Sequence, residues 1–189
     1  MSTPNASASP AAPHSGSEDA PTDVDIEFEG APRGAERPTV HVERMHEDVD
    51  MPRQENALDA ALDLRAFINA EGVDPSAQGI IIPSGKNTLV PTGLKIALPP
   101  NLEMQIRPRS GLARSGISVA NSPGTVDPGY RGEVKVLLEN RSGDPFAVET
   151  GDRIAQAAIR PVIRPQFEEV EEVPSDTDRG EGGFGSTGV

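Results

Sequence analysis

Cysteine and tryptophan are absent from the 189 residues, tyrosine occurs once and histidine three times. Without cysteine there is no disulfide framework and no thiolate chemistry, which fits a reducing cytoplasm. A zinc site is disfavoured as well, because His14, His41 and His46 share no ligand spacing. One histidine in the tail and two near the first strand also make a Ser-His-Asp triad a poor fit. No apolar run approaches the roughly 20 residues that cross a bilayer, and the chain opens without a basic-then-apolar leader pattern. A cytoplasmic protein with no membrane partner is therefore expected. Positive charge is scarce too: 17 Lys and Arg against 30 Asp and Glu give a net charge of −13. Phosphate backbones would be repelled, so a nucleic-acid partner is not expected. An acidic protein that handles an anionic ligand has to gather its few arginines in one place.

What the chain does contain is turn-forming residues. Hydrophobic residues make up only 35% of it, while 19 Gly and 19 Pro make up a fifth. That balance disfavours long helices and favours short strands joined by tight turns. The length suits one domain with appendages. Residues 1–37 are rich in Ala, Ser and Pro, and seven acids there face only Arg33 and Arg37, a net −5. Such a segment buries too little apolar surface to offset its ordering entropy, so it is expected to be disordered, as a solvating tail or a docking arm.

From Thr39 onward, alternation takes over. Val40 and Val42 alternate with His41 and Glu43; Leu94, Ile96 and Leu98 with Lys95 and Ala97; Leu102, Met104 and Ile106 with Glu103 and Gln105. Period two marks half-buried strands. Ile80–Pro83, Phe146–Val148, Ile154–Ile159 and a stretch around Phe167–Val173 add four more expected strands. Asn56–Phe67 is ambiguous, since Leu58, Ala61, Leu62 and Arg65 fit a helical period. On balance the pattern is all-β.

Two stretches carry chemistry. In Asn121–Val136, turn signals at Pro123-Gly124 and Asp127-Pro128-Gly129 bracket Thr125-Val126, and Val134 and Val136 then alternate with Glu133 and Lys135. Locally this predicts a β-hairpin with Asp127 and the lone Tyr130 at its turn, which an ordinary solvated turn would also satisfy. The second stretch, Arg107–Gly116, holds three arginines. Ser110 there suits the N-cap of one or two helical turns ending at Gly116, a local anion site or simply a capped helix with solvated arginines. Two glycine patterns fail on context. Gly180, Gly182 and Gly185 fit G-x-G-x-x-G but have no strand before them and no helix after them. Gly79–Lys86 is one residue too long for a phosphate-binding P-loop, and Asn87 stands where Ser or Thr should follow.

Five segments taken in order resemble the five motifs of the trimeric dUTPase family, the deoxyuridine triphosphate nucleotidohydrolases. They are Ala60–Leu64, Pro108–Ala113, Gly124–Val134, Gly151–Gln156 and Arg179–Gly188. The first is weak alone; the second, third and fifth, in this order and spacing, are specific. The resemblance runs from about Thr39 to the C-terminus. It implies a compact jelly-roll-like β-barrel over residues 38–174, a homotrimer, and a Gly-rich lid over 175–189. It also implies that Ala60–Leu64 is extended rather than helical. Each active site would draw on three subunits, and about 50 Å of extended chain beyond Pro174 could cross a neighbour.

The activity so implied is Mg²⁺-dependent hydrolysis of dUTP to dUMP and pyrophosphate by water attack on the α-phosphate. It would clear dUTP from the DNA precursor pool and supply dUMP for dTMP synthesis. By the same resemblance Asp127 is the water-activating base, Asn121 and nearby backbone meet uracil, and Tyr130 lies against the deoxyribose. Arg109, Ser110 and Gly111 hold the phosphates. Asp63 and Gln156 orient waters on Mg²⁺, and Arg179, Phe184, Gly185, Ser186 and Thr187 form the closing lid. Two alternatives stay open: a dCTP deaminase, including its bifunctional form, and a non-catalytic nucleotide-sensing module on the same scaffold.

Overall fold

Apolar residues at every second position become strands through most of the chain. The computed structural model describes residues 38–68, 79–175, 177 and 180. In chain order these form β1 (His41–Arg44), β2 (Leu62–Arg65), β3 (Gly79–Ile82), β4 (Asn87–Ala97), β5 (Leu102–Arg107), α1 (Ser110–Arg114), β6 (Ile117–Val119), β7 (Gly124–Val126), β8 (Glu133–Asn140), β9 (Phe146–Glu149) and β10 (Arg153–Pro161). One four-stranded sheet has the order β1-β4-β8-β6, a second has β2-β10-β5-β7, and β3 pairs with β9. All the pairings are antiparallel.

Burial alternates along β5 and β8 as their sequences require. Leu64, Met104 and Ile154 of one sheet meet Val90, Val136 and Leu138 of the other, with Ile82 and Val148 of the β3–β9 ribbon, in one core. Fully burying a side chain of this size contributes about 1.5–3 kcal/mol. The expected all-β fold is present. Among the described strands no ladder joins the two sheets into one cylinder, so they form a sandwich-like body around that core. Among the described residues no helix is long and apolar enough to cross a membrane. The acidic tail at residues 1–37 lies outside the described residues.

The ambiguous Asn56–Phe67 segment resolves without a helix. Asn56–Asp59 is a turn closed by the Asp59 N–H on the Asn56 carbonyl at 3.0 Å, and Ala60 and Ala61 bend. Leu62–Arg65 is β2, and the buried Leu64 belongs to the core. Tertiary packing overrides its helical period. β4 runs further than expected, from Asn87, and accommodates Pro91 and Gly93 where its register with β8 shifts. Gly93 has φ +67 there, a conformation that favours glycine.

Three expectations fail. Asn121–Val136 is not a hairpin: β7 pairs with β5 and β8 pairs with β4 and β6, so the residues between them cross from one sheet to the other. Alternation identifies a strand but not its partner. Ser110 is not the N-cap; Arg109 holds that position with extended backbone, φ −82 and ψ 132, and no side chain caps the helix. Phe167–Val173 forms no strand. Phe167 is 91% exposed and Val173 76% exposed, so this segment packs against neither sheet.

Candidate active site

The row of residues across the second sheet is set by register. Asp63 on β2 lies opposite Gln156 on β10, and Gln156 lies opposite Arg107 on β5. Directly opposed residues share a face of the sheet, so a carboxylate, an amide and a guanidinium stand in line. Arg153 joins them through an irregularity. In an uninterrupted strand, three residues before Gln156 would mean the opposite face. The β10–β2 register shifts between Arg153 and Ala155, and Ile154 and Ala155 are both buried, at 1% and 0% exposure. Two successive inward residues reset the phase, and Arg153 emerges on the side of Gln156.

Arg109 arrives from a different direction. Pro108 follows the end of β5, and Arg109 turns its guanidinium onto Asp63, with Nε donating to Oδ1 at 3.0 Å. Its Nη1 also donates to the Arg153 carbonyl at 3.4 Å. On the other side, Arg153 Nη1 lies 3.4 Å from Asp63 Oδ2 and 3.2 Å from Glu55 Oε2. The Asp63 side chain is only 9% exposed, a depth at which a carboxylate needs such partners. A guanidinium carries five N–H donors, so these contacts leave Arg109 with donors to offer an anion. Sequence reasoning assigned Arg109 to phosphate alone; its contact with Asp63 is an addition. Immediately after it, Ser110 and Gly111 open α1 and are exposed.

Asn121, Asp127 and Tyr130 flank β7, Asn121 before it and the other two after it. Asn121 lies against the buried Gly124, where an added Cβ would sit 3.0 Å from its Nδ2. Asp127 follows β7 and is exposed, and its carbonyl accepts from the Tyr130 N–H at 3.0 Å. The Tyr130 hydroxyl donates to the Glu133 carbonyl at 2.9 Å, and the residue is 44% exposed.

Within one chain Asp127 is directed away from the Arg109 cluster. Val126 lies opposite Met104 and Gly124 opposite Ile106, so Asp127 continues toward the start of β5. Arg109 and Ser110 leave from its other end. The six residue steps from Met104 to Ser110, at a strand's rise, amount to at most roughly 20 Å. Arg179, Phe184, Gly185, Ser186 and Thr187 lie outside the described residues. Sequence reasoning gave no role to Arg153, although it lies in the fourth motif, nor to Glu55. No pattern in the sequence announces the phase shift that brings Arg153 to Asp63.

Residues 47–188 match the family model described as dUTPase. The chain is 50% identical over 155 residues to the deoxyuridine 5'-triphosphate nucleotidohydrolase of Brucella melitensis, covering 80% of this chain and 94% of that protein. It is 48% identical over 158 residues to the Rhizobium rhizogenes protein of the same name, covering 81% and 96%. Its fold is similar to that of the Staphylococcus bacteriophage 80alpha dUTPase solved with dUPNHPP. The TM-score is 0.69 at 23% identity, covering 80% of this chain and 99% of that one. A mutant dUTPase from phage phi11 of S. aureus, whose structure concerns the coordination of a structural Mg(II) ion, gives a TM-score of 0.61 at 19% identity, covering 72% and 99%. At those identities the structural likeness bears on the fold alone.

Proposed function

The chain belongs to the dUTPase family and is a hydrolase acting on dUTP; we propose that a water attacks the α-phosphorus while pyrophosphate leaves in line with it. The reaction needs a base for the water, charge neutralisation over three phosphates, and fixed geometry. Asp127 takes the proton from the attacking water. Arg109 supplies charge to the triphosphate, Ser110 a hydroxyl near the scissile bridge and Gly111 a backbone N–H. Asn121 and the neighbouring backbone meet the uracil edge, and Tyr130 lies against the deoxyribose. Arg179 with the Ser186 and Thr187 hydroxyls closes on the γ-phosphate, Gly185 lets the backbone approach it, and Phe184 covers the base.

Magnesium fits this chain through water rather than by direct ligation. Among the described residues no group of three or more His, Cys, Asp or Glu could hold a metal ion. Asp63, drawn to Arg109 and Arg153, and Gln156 beside it offer oxygens suited to orienting waters. That ion keeps several waters and binds through substrate phosphates; when bound it neutralises phosphate charge.

The observation that carries this reading is the convergence of Asp63, Arg109 and Arg153, from three of the motif segments, on one ion-paired cluster. The gap between that cluster and Asp127 supports assembly of the site between copies, in a homotrimer, with the lid from the remaining copy. We place the enzyme in the cytoplasm, with residues 1–37 as a tail outside the catalytic body. The relatives and structures described above are dUTPases, and nothing among them favours the dCTP deaminase. Pyrophosphate release from each deoxynucleoside triphosphate with Mg²⁺ tests the assignment. Turnover confined to dUTP is expected; ammonia from dCTP, or inert dUTP, would overturn it.

A further inference from the structure

Gly132 follows Tyr130 by two residues, and the space a side chain would need there is filled by that tyrosine. A Cβ built on Gly132 would sit 2.5 Å from Tyr130 Oη, 2.7 Å from Cζ and 3.1 Å from Cε2, its three nearest neighbours. Ordinary carbon contacts begin at about 3.5 Å. The backbone of Gly132 is not among those with a positive φ, so its conformation is open to any residue. The glycine is needed for room, and the room is taken by one ring.

The ring is also fastened at its far end. Its hydroxyl donates to the carbonyl of Glu133 at 2.9 Å. Glu133 is fixed in turn: its carboxylate accepts from the Gly93 N–H at 2.9 Å, and its backbone opens β8 opposite Lys95. Tyr130 is thus folded back over its own chain, held by an anchored acceptor and seated over a residue without a side chain. Being 44% exposed, the ring has solvent to move into if displaced.

We propose that Gly132 is a specificity-positioning residue: by leaving space under Tyr130 it sets the ring's height over the sugar, and so the exclusion of a 2′-hydroxyl. The proposal rests on Tyr130 lying against the deoxyribose, and the experiment separates the two claims. Gly132→Ala lifts the ring by about an ångström, relaxing a steric discrimination of the kind worth tens- to hundreds-fold.

The test compares kcat/KM for UTP and dUTP in the full-length wild type, Gly132→Ala, Tyr130→Ala and the control Gly143→Ala, where an added Cβ meets nothing within 4 Å. Because Tyr130 is the sole tyrosine and there is no tryptophan, intrinsic fluorescence and its quenching by acrylamide report on this ring alone. Gly132→Ala is expected to raise the UTP/dUTP ratio about tenfold and to increase quencher access, while the control matches wild type. A ratio unchanged in Tyr130→Ala defeats the sugar assignment and the proposal with it. A ratio raised in Tyr130→Ala but not in Gly132→Ala overturns the role of Gly132 alone. Should Gly132→Ala lower the melting temperature, the same change in a Tyr130→Ala background must not; an equal loss there shows that the ring is not the obstacle and overturns the proposal.

Discussion

Arg153 Nη1 lies 3.4 Å from Asp63 Oδ2 because β10 carries two consecutive inward residues, Ile154 and Ala155, just after it. The same phase shift lets the Arg153 carbonyl accept from Arg109. Arg153 therefore holds both the carboxylate assigned to the metal's waters and the arginine assigned to phosphate, without itself being assigned to substrate. Arg153→Ala should lower kcat/KM for dUTP by about 10- to 100-fold and raise the Mg²⁺ concentration needed for half-maximal rate. Stability should change by no more than about 1 kcal/mol, because the arginine is partly solvated. Steady-state kinetics across a Mg²⁺ titration, with thermal melts alongside, check both halves.

Gly111 offers a cleaner separation of ligand from fold. An added Cβ meets nothing within 4 Å in the protein, so Gly111→Ala should leave the melting temperature within a degree or two, equivalent to about 0.5 kcal/mol. If a phosphate approaches that backbone, the same methyl should cost about tenfold or more in kcat/KM. A melt and a dUTP titration on one preparation decide it. Wild-type kinetics would remove Gly111 from the phosphate site.

Removing residues from Arg179 onward should abolish most turnover, since it deletes the assigned γ-phosphate contacts and the cover over the base. Removing residues 1–37 should leave the rate unchanged. Pyrophosphate release from the two truncated proteins, beside the full chain, checks the proposed division of the chain at both ends.

Strand β5 was legible because Leu102, Met104 and Ile106 keep strict period two, and burial follows it. The site was legible only in part. Asp63, Arg109 and Gln156 could be named from motif resemblance; the fold pairs Arg109 with Asp63 and sets Gln156 opposite Asp63 in the ladder. Arg153 could not be given its place, because a single register shift inverts the face of every residue beyond it. The connection after Asp127 was misread for a related reason: two turn signals and alternating valines look the same whether the next strand pairs back or crosses to the other sheet. Phe167–Val173 has β-prone residues, but a strand needs a partner, and this exposed segment pairs with neither sheet.

The central claim is that Asp127 and the Asp63–Arg109 cluster serve one active site from different copies. Asp127→Asn and Arg109→Ala should each be close to inactive alone, one lacking the base and the other the phosphate contact. Unfolded together in equal amounts and refolded, they should recover roughly a quarter of wild-type dUTP turnover, since random assembly of a closed ring pairs an intact Asp127 with an intact Arg109 at about one site in four. If both residues of a site come from the same chain, no mixture contains an intact site, and activity staying at the level of the separate variants would contradict the account.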